Sequence, residues 1–344
     1  MPQLNLVIPG LCGPLPEIDS LDSDSVKALV SWLARANQQH IPQTNFHEVL
    51  ALMFGQDDTR PLPAAALSLL ASGRYTEQGH WFRADPVYLQ ADMDHAILRD
   101  SHGLDLTLEE STALIEALNA HFQQDGIRFL MTDKDSWFLN IADHERVTTA
   151  PLHEVIGRNV YAFMPQGKDA LYWKKFMNEV QMLLHSSAVN EQREQADKLP
   201  VNGAWLWGGG ALPLNAEADN NKQQAMEIFS RHAMVQGLAV LNQWQCHSVT
   251  HAEDFMAGFP TASNSMLVLD DLFEMTSYGD VMAWQSSLNE FYRQWLEPVL
   301  NWAMKKKIKV NLYPCNGVCY QISPGNRFRF FRNKRISNYI HTYE

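Results

Sequence analysis

Residues 183–213 read LLHSSAVNEQREQADKLPVNGAWLWGGGALP, and the fold turns on this stretch. It opens at the end of an amphipathic run, Asp169 to His185, that predicts a helix with Leu171, Phe176, Val180, Leu183 and Leu184 facing inward. It leaves through Pro200 to Leu206, an apolar run that predicts a strand, and then through Gly208, Gly209 and Gly210. Helix followed by strand across a short polar connection is the repeating pattern of an α/β sheet. The three glycines allow a tight turn, or a place where backbone amides approach a phosphate. They are neither a GxGxxG fingerprint nor a P-loop, because no GK[ST] follows. The intervening VNEQR carries Asn190 and Arg193. A guanidinium forks onto phosphate or carboxylate and an amide adds a neutral donor, although spacing alone makes both surface residues.

The same alternation extends outward. Leu4 to Ile8 is an apolar run closed by Pro9 and Gly10, as in a buried strand feeding a loop. Val26, Leu29, Val30 and Leu33 form a helical stripe within Ser23 to Ala36, with Ser23 or Asp24 as cap. Phe46 to Phe54 predicts a helix stopped by Gly55. Gln56 to Pro63 is polar and marks a boundary. Trp81 to Leu89 alternates but is broken at Pro86, as an edge strand would be. Thr107 and Glu110 make a capping box for an amphipathic helix over Leu108 to Phe122. Ile127 to Met131 and Ser136 to Ile141 predict a hairpin. Met226 to Leu241 predicts helix plus strand, Ser265 to Leu269 a strand ending at Asp270 and Asp271, and Trp284 to Met304 a long aromatic helix. Lys307 to Leu312, Val318 to Ile322 and Arg327 to Phe331 complete the set as closing strands. The fold class is α/β, with no internal repeat.

At 344 residues the chain is long for one core, and two domains are expected. Hydrophobic residues make up 46% and charged residues 19%, a globular balance. The net charge of −12 gives no broad attraction to nucleic acid or anionic membrane. The basic residues near the C-terminus, Lys305, Lys306, Lys307, Lys309, Arg327, Arg329, Arg332, Lys334 and Arg335, read as a solvated hairpin. No uncharged run approaches the ~20 residues of a membrane span. The N-terminal MPQLNLVIPGLCG has no basic flank and is a strand rather than a signal peptide. Cys12, Cys246, Cys315 and Cys319 lack zinc-ligand spacing and read as free thiols of a reducing compartment. A cytoplasmic protein with no cofactor is the expectation.

Two further constellations bear on chemistry. Asp270 and Asp271 lie at the C-terminal end of a predicted strand, the edge where open α/β sheets bind ligands, or are simply solvated there. FRADP carries Arg83 beside Asp85.

From Trp81 to Pro213 the sequence resembles the archaeal-type, metal-dependent, cofactor-independent phosphoglycerate mutases, which belong to the alkaline phosphatase superfamily. The resemblance runs in order through WFRADPVYL, ILRDSHGLDLTLEESTALIEALN, VTTAPLHEVIGR and the quoted 183–213 block. RADPV, NExQMLLH and PVNxxWxWGGG also resemble a bacterial family of regulatory proteins of the RpfE type, over nearly the whole chain. The mutase resemblance implies an alkaline-phosphatase-like core sheet built from 1–71 and 190–344, with a smaller α+β substrate domain, 72–189, inserted. It also implies a ligand-gripping set of Arg83, His153, Asn190 and Arg193.

The departures from the mutase pattern fall on the catalytic positions. Those enzymes use two metal ions and a serine nucleophile, because phosphoryl transfer is mostly charge stabilisation and positioning. Here Pro9-Gly10 stands in place of the first metal-binding acid, and Asn45-Phe46-His47 in place of the nucleophile string. Asp270 is retained, while Gly279-Asp280 and Tyr313-Pro314-Cys315-Asn316 replace the later histidine-bearing strings. No catalytic residue and no metal site is therefore expected. The expected role is binding, either of a small phosphorylated or carboxylated anion or of a protein partner, with a regulatory function. The alternatives are an active mutase or phosphomonoesterase using Asp270 and Asp280, and a structural adaptor meeting its partner through Trp284, Trp295 and Trp302. Convergence of Arg83, His153, Asn190 and Arg193 would call for an anion, or for neutralisation by Asp85 or Glu154.

Overall fold

The computed structural model describes residues 2–15, 23–56, 61–76, 79–92, 95–142, 147–212, 226–260, 264–277, 280–329 and 338–340. In chain order the first elements are β1 (Gln3–Val7), α1 (Asp24–Arg35), β2 (Asn37–His40), α2 (Phe46–Phe54), α3 (Ala64–Ala71), β3 (His80–Asp92), β4 (His95–Arg99), α4 (Leu108–Phe122), β5 (Arg128–Asp133), β6 (Ser136–Ile141), β7 (Val147–Thr148), α5 (Leu152–Val155), β8 (Gln166–Gly167), α6 (Ala170–His185), α7 (Ala188–Gln195) and β9 (Gly203–Gly210). They are followed by β10 (Glu227–Phe229), α8 (Ala233–Leu241), β11 (Cys246–His247), α9 (Ala252–Gly258), β12 (Ser265–Val268), α10 (Phe273–Ser277), α11 (Val281–Phe291), α12 (Glu297–Lys305), β13 (Lys309–Tyr313) and β14 (Val318–Ile322). Among the described residues no helix is long and apolar enough to cross a membrane.

The chain folds into two compact units, one formed by 1–61 with 216–344 and the other by 62–215. The expected division was 1–71 with 190–344 against 72–189. The displacement has a packing cause: β9 pairs with β3 from Trp81 to Val87, and α3 packs on both, so all three stay with the inserted unit.

The core unit holds a seven-stranded sheet in the order β11-β10-β12-β1-β13-β14-β2. Strands β11, β10, β12, β1 and β13 are parallel; β14 and β2 close the edge antiparallel. β1 sits between β12 and β13 with Leu4, Leu6 and Val7 fully buried, as a central parallel strand requires. Helices α1, α9, α11 and α12 contribute to one cluster over it, including Leu33, Phe255, Trp284, Leu288 and Leu300. α11 and α12 run on through a π turn, Tyr292–Leu296, just before Pro298, which cannot donate an ordinary helical hydrogen bond.

The aromatic helix does not present its tryptophans outward. Trp284 and Trp295 are buried, and Trp284 Nε1 donates to the Gly10 carbonyl at 2.8 Å. Trp302 packs edge-on against Phe255 and Phe259. The adaptor reading through these three side chains is thereby corrected: burial of their apolar area stabilises the fold.

The inserted unit is a sheet ordered β4-β3-β6-β5, with β9 on the other side of β3. β3 is central, not the edge strand that Pro86 implied. Its second side is shared by β6 at residues 80–83 and β4 at 88–92. Pro86 falls in the gap between them, where a missing N–H breaks no ladder bond on that side. The triple glycine extends β9 and is not a turn. A Cβ on Gly209 would lie 2.2 Å from the Phe82 ring, and one on Gly208 2.8 Å from Ala64 Cβ, so close packing excludes side chains there. Leu171, expected inside, is 67% exposed, while Phe176, Val180 and Leu184 are buried. Arg327 and Phe328, the start of the last expected strand, belong instead to a 3₁₀ turn, Pro324–Phe328, and 330–331 lie outside the described residues.

Candidate functional site

In the core unit, the C-terminal ends of the parallel strands are where an α/β sheet places ligands. β1 ends there at Pro9-Gly10, β10 at Ser230-Arg231-His232, β12 at Asp270-Asp271, and β13 at the Pro314–Gly317 turn. Gly10 has φ +81°, and a Cβ on it would meet the Leu272 carbonyl oxygen at 2.5 Å, so no side chain fits that backbone. Asn45 caps α2, its Oδ1 accepting Glu48 N at 3.0 Å. The cap sets Phe46 at the first turn, 1% exposed, its ring 5.1 Å edge-on from His232 and 5.5 Å from Phe273. His47 follows; burial, and next the proximity of His232, hold it down at about 4, with Glu48 pulling the other way. It is a neutral imidazole at pH 7.

The acids of this edge are dispersed. Asp271 Oδ1 accepts Arg231 Nη2 at 2.9 Å. Asp280 caps α11, its Oδ1 accepting Ala283 N at 2.9 Å. Gly279 lies outside the described residues. Cys315 lies at the β13–β14 turn with φ +63°, and Cys319 is buried on β14; both are free thiols. Among the described residues, no three of His, Cys, Asp or Glu cluster as a metal site would need. Two divalent ions would want at least twice that number of oxygen or nitrogen donors. The donor set among the described residues does not fit the dinuclear centre that the mutase resemblance implies.

The four residues expected to grip a ligand all lie in the inserted unit, in two groups on opposite faces of its sheet. Along β3 and β9, Phe82, Ala84, Ala204 and Leu206 face one cluster with α4 and α6, while Val87 and Trp205 face another with α5. Arg83 is on the second face. Its Nε donates to Asp85 Oδ2 at 3.3 Å and its Nη2 donates closely to Asp85 Oδ1. The guanidinium lies 4.8 Å over the Phe138 ring and 5.8 Å from that of Trp207. Trp207 Nε1 adds a 2.6 Å bond to Asp85 Oδ2. Burial pushes the Asp85 carboxyl up from its ordinary value, and Arg83 and Trp207 draw it back. His153 belongs to α5, whose Leu152 and Val155 pack into the same cluster as Trp205. Glu154, the other neutralising acid considered, is exposed.

Asn190 and Arg193 stand on α7 and serve the first face. Asn190, 2% exposed, donates from Nδ2 to the carbonyls of Leu184 (2.6 Å) and Val201 (2.8 Å), and its Oδ1 accepts Val201 N at 2.9 Å. Arg193, 1% exposed, donates from Nε to Leu199 O (2.9 Å), from Nη1 to Glu110 Oε2 (2.7 Å) and from Nη2 to Leu104 O. The same Glu110 oxygen accepts Thr107 N at 2.8 Å in the capping box of α4. The sequence flagged Glu110 as a cap and gave no sign that it is also the counter-ion of Arg193. His232 could have been found from its place just beyond a parallel strand.

Residues 66–190 match the family model for 2,3-bisphosphoglycerate-independent phosphoglycerate mutase. A phosphoglycerate mutase of that type from Methanosarcina mazei is 24% identical over 156 residues, 44% of this chain and 39% of that protein. The one from Methanosarcina barkeri is 24% identical over 183 residues, 52% and 44% of the two chains. The chain thus spans about two fifths of the length of the curated relatives it matches. A solved structure of a protein from Pyrococcus horikoshii superposes with a TM-score of 0.50 and 13% identity over 94% of this chain and 87% of that one. The α/β class, an alkaline-phosphatase-like core sheet carrying an inserted α+β unit, is the fold expected from the sequence. Over its middle third the chain is similar in sequence to the phosphoglycerate mutases, and over nearly all its length it is similar in fold to the Pyrococcus protein.

Proposed function

We propose that this chain is a phosphoglycerate-mutase-like protein without catalytic activity, which works by binding a protein partner in a regulatory role. The observation that carries the proposal is Phe46: the position matching the mutase nucleophile holds a buried phenyl ring packed on His232 and Phe273, which can neither attack phosphorus nor ligate a metal. Pro9, where the mutase pattern has its first metal-binding acid, and the dispersed acids among the described residues support the same reading. Between the two binding modes, a partner is better supported than a small phosphorylated or carboxylated anion at Arg83, His153, Asn190 and Arg193. Asp85 and Glu110 already match the two guanidinium groups, and Asn190 is saturated by backbone. The inserted unit meanwhile exposes Tyr161 (62%), Leu171 (67%), Tyr172 (49%) and Met182 (69%).

The test is direct. Purified protein with Mn²⁺, Zn²⁺ or Mg²⁺ should interconvert 2- and 3-phosphoglycerate no faster than buffer. Turnover above background that EDTA abolishes would refute the inactive reading. Calorimetry with 3-phosphoglycerate should show no saturable heat; a binding isotherm that weakens in Arg83→Ala would restore the anion reading.

A further inference from the structure

In the core unit, a pocket of about 150 Å³ opens between the last turn of α1, α12 and the chain leaving β14. Its walls are Trp32, Met304, Ile322 and Pro324, with Arg35, Ser323 and Asn326. A cavity of ~150 Å³ is enough for a benzene ring. Most polar groups of the wall are already engaged. Trp32 Nε1 donates to Tyr292 Oη at 3.3 Å, Ser323 Oγ to Asn326 Oδ1 at 2.7 Å, and Asn326 Nδ2 to Gln321 O at 3.0 Å. Arg35 differs: its Nε is buried and has no hydrogen-bond partner among the described residues. A buried donor on a permanent cation is costly to leave unmet, and such orphans in a native fold call for a partner. None of the described lining residues is acidic.

We propose that this pocket binds a small monocarboxylate whose apolar body is about the size of a benzene ring. The ring lies among Trp32, Met304, Ile322 and Pro324, and the carboxylate accepts from Arg35. Apolar walls with one convergent charged donor are the usual make-up of a small-molecule site. The site is independent of the mutase-like positions, so it stands or falls apart from the function proposed above.

The probe is benzoate, followed by saturation-transfer NMR and titration of the intact protein, with benzyl alcohol as the uncharged isostere. Benzoate should bind saturably in the millimolar range or tighter, and benzyl alcohol about ten-fold or more weaker. Arg35→Gln should remove that preference, and Met304→Trp, which fills the pocket, should abolish binding of both. The comparison of the two probes on unaltered protein needs no variant to fold. No saturable benzoate signal, equal binding of the two probes, or benzoate binding that survives Met304→Trp would each overturn the proposal.

Discussion

Arg193→Met separates a ligand-gripping arginine from one that holds the fold together. The guanidinium is 1% exposed and makes three bonds: to the Leu199 carbonyl, the Leu104 carbonyl and Glu110 Oε2. Methionine keeps most of the stem volume and removes every donor. Two carbonyls then lose buried partners, at about 1–3 kcal/mol each. Glu110 loses its counter-ion, but it is 21% exposed and keeps Thr107 N, so water and the cap recover part of that loss. Removing one partner of a buried pair generally costs about 3–5 kcal/mol, and the sum here falls in that range. For a unit of this size that is a fall in Tm of roughly 6–20 °C. Thermal and urea unfolding, followed by far-ultraviolet circular dichroism and tryptophan emission, will read it, with the loss confined to the transition of the inserted unit. Glu110→Gln, which keeps an acceptor for both donors, should cost less than half as much. A Tm within 2 °C of wild type for Arg193→Met would refute the reasoning and return Arg193 to the candidate ligand set.

Three other outcomes are expected. Phe46→Ser should gain no mutase activity in the phosphoglycerate assay and should lose about 3–5 kcal/mol of stability, since the ring leaves a cavity beside His232 and Phe273. His47 is held at about 4 against an ordinary value near 6.5, so the unfolded chain binds the proton first and stability should fall as pH drops from about 6.5 to about 4, by at most about 3 kcal/mol; urea midpoints for His47→Gln should show a flatter profile over that window. Gly209→Ala should cost about 1–3 kcal/mol or more in urea unfolding because its Cβ would enter the Phe82 ring, whereas Gly103→Ala, with nothing within 4 Å of the added carbon, should be close to neutral.

Local signals carried most of the fold. The Ser23 cap, the helix from Phe46 to Phe54 with Gly55 left-handed at its end, and the Thr107–Glu110 capping box are all set by short-range chemistry, and each is found at the expected residues. The misreadings share a different cause. β2 is four exposed polar residues, Asn37 to His40, and exists because β14 offers it an edge. Pro86 by its own missing N–H implies an edge strand, but the ladder spacing of β6 and β4 decides whether that loss matters. The glycines of β9 suggest a turn or a phosphate cradle by their own freedom, whereas Phe82, Ala64 and Pro63 press on them from elsewhere in the unit. Periodicity reports what a segment prefers, and tertiary neighbours decide what it can afford.

The same distinction governs the candidate site. Arg83, Asn190 and Arg193 are residue types that bind anions, and a sequence shows the type without the partner. What a buried guanidinium does depends on which acceptors surround it, and those come from far along the chain: Glu110 lies 83 residues before Arg193, and Leu104 lies 89 before it. Arg83 has its acid two residues away, and that proximity was visible; the Phe138 and Trp207 rings that shield the pair were not. Substitutions at catalytic positions are easier to read, because chemistry sets a hard requirement that packing cannot supply. A phenyl ring at position 46 cannot serve as a nucleophile whatever surrounds it, and here the ring is buried against His232 and Phe273. Arg83 and Arg193 of the inserted unit are held by protein acceptors, Asp85 and Glu110 respectively, since an unmatched buried cation is the costlier state.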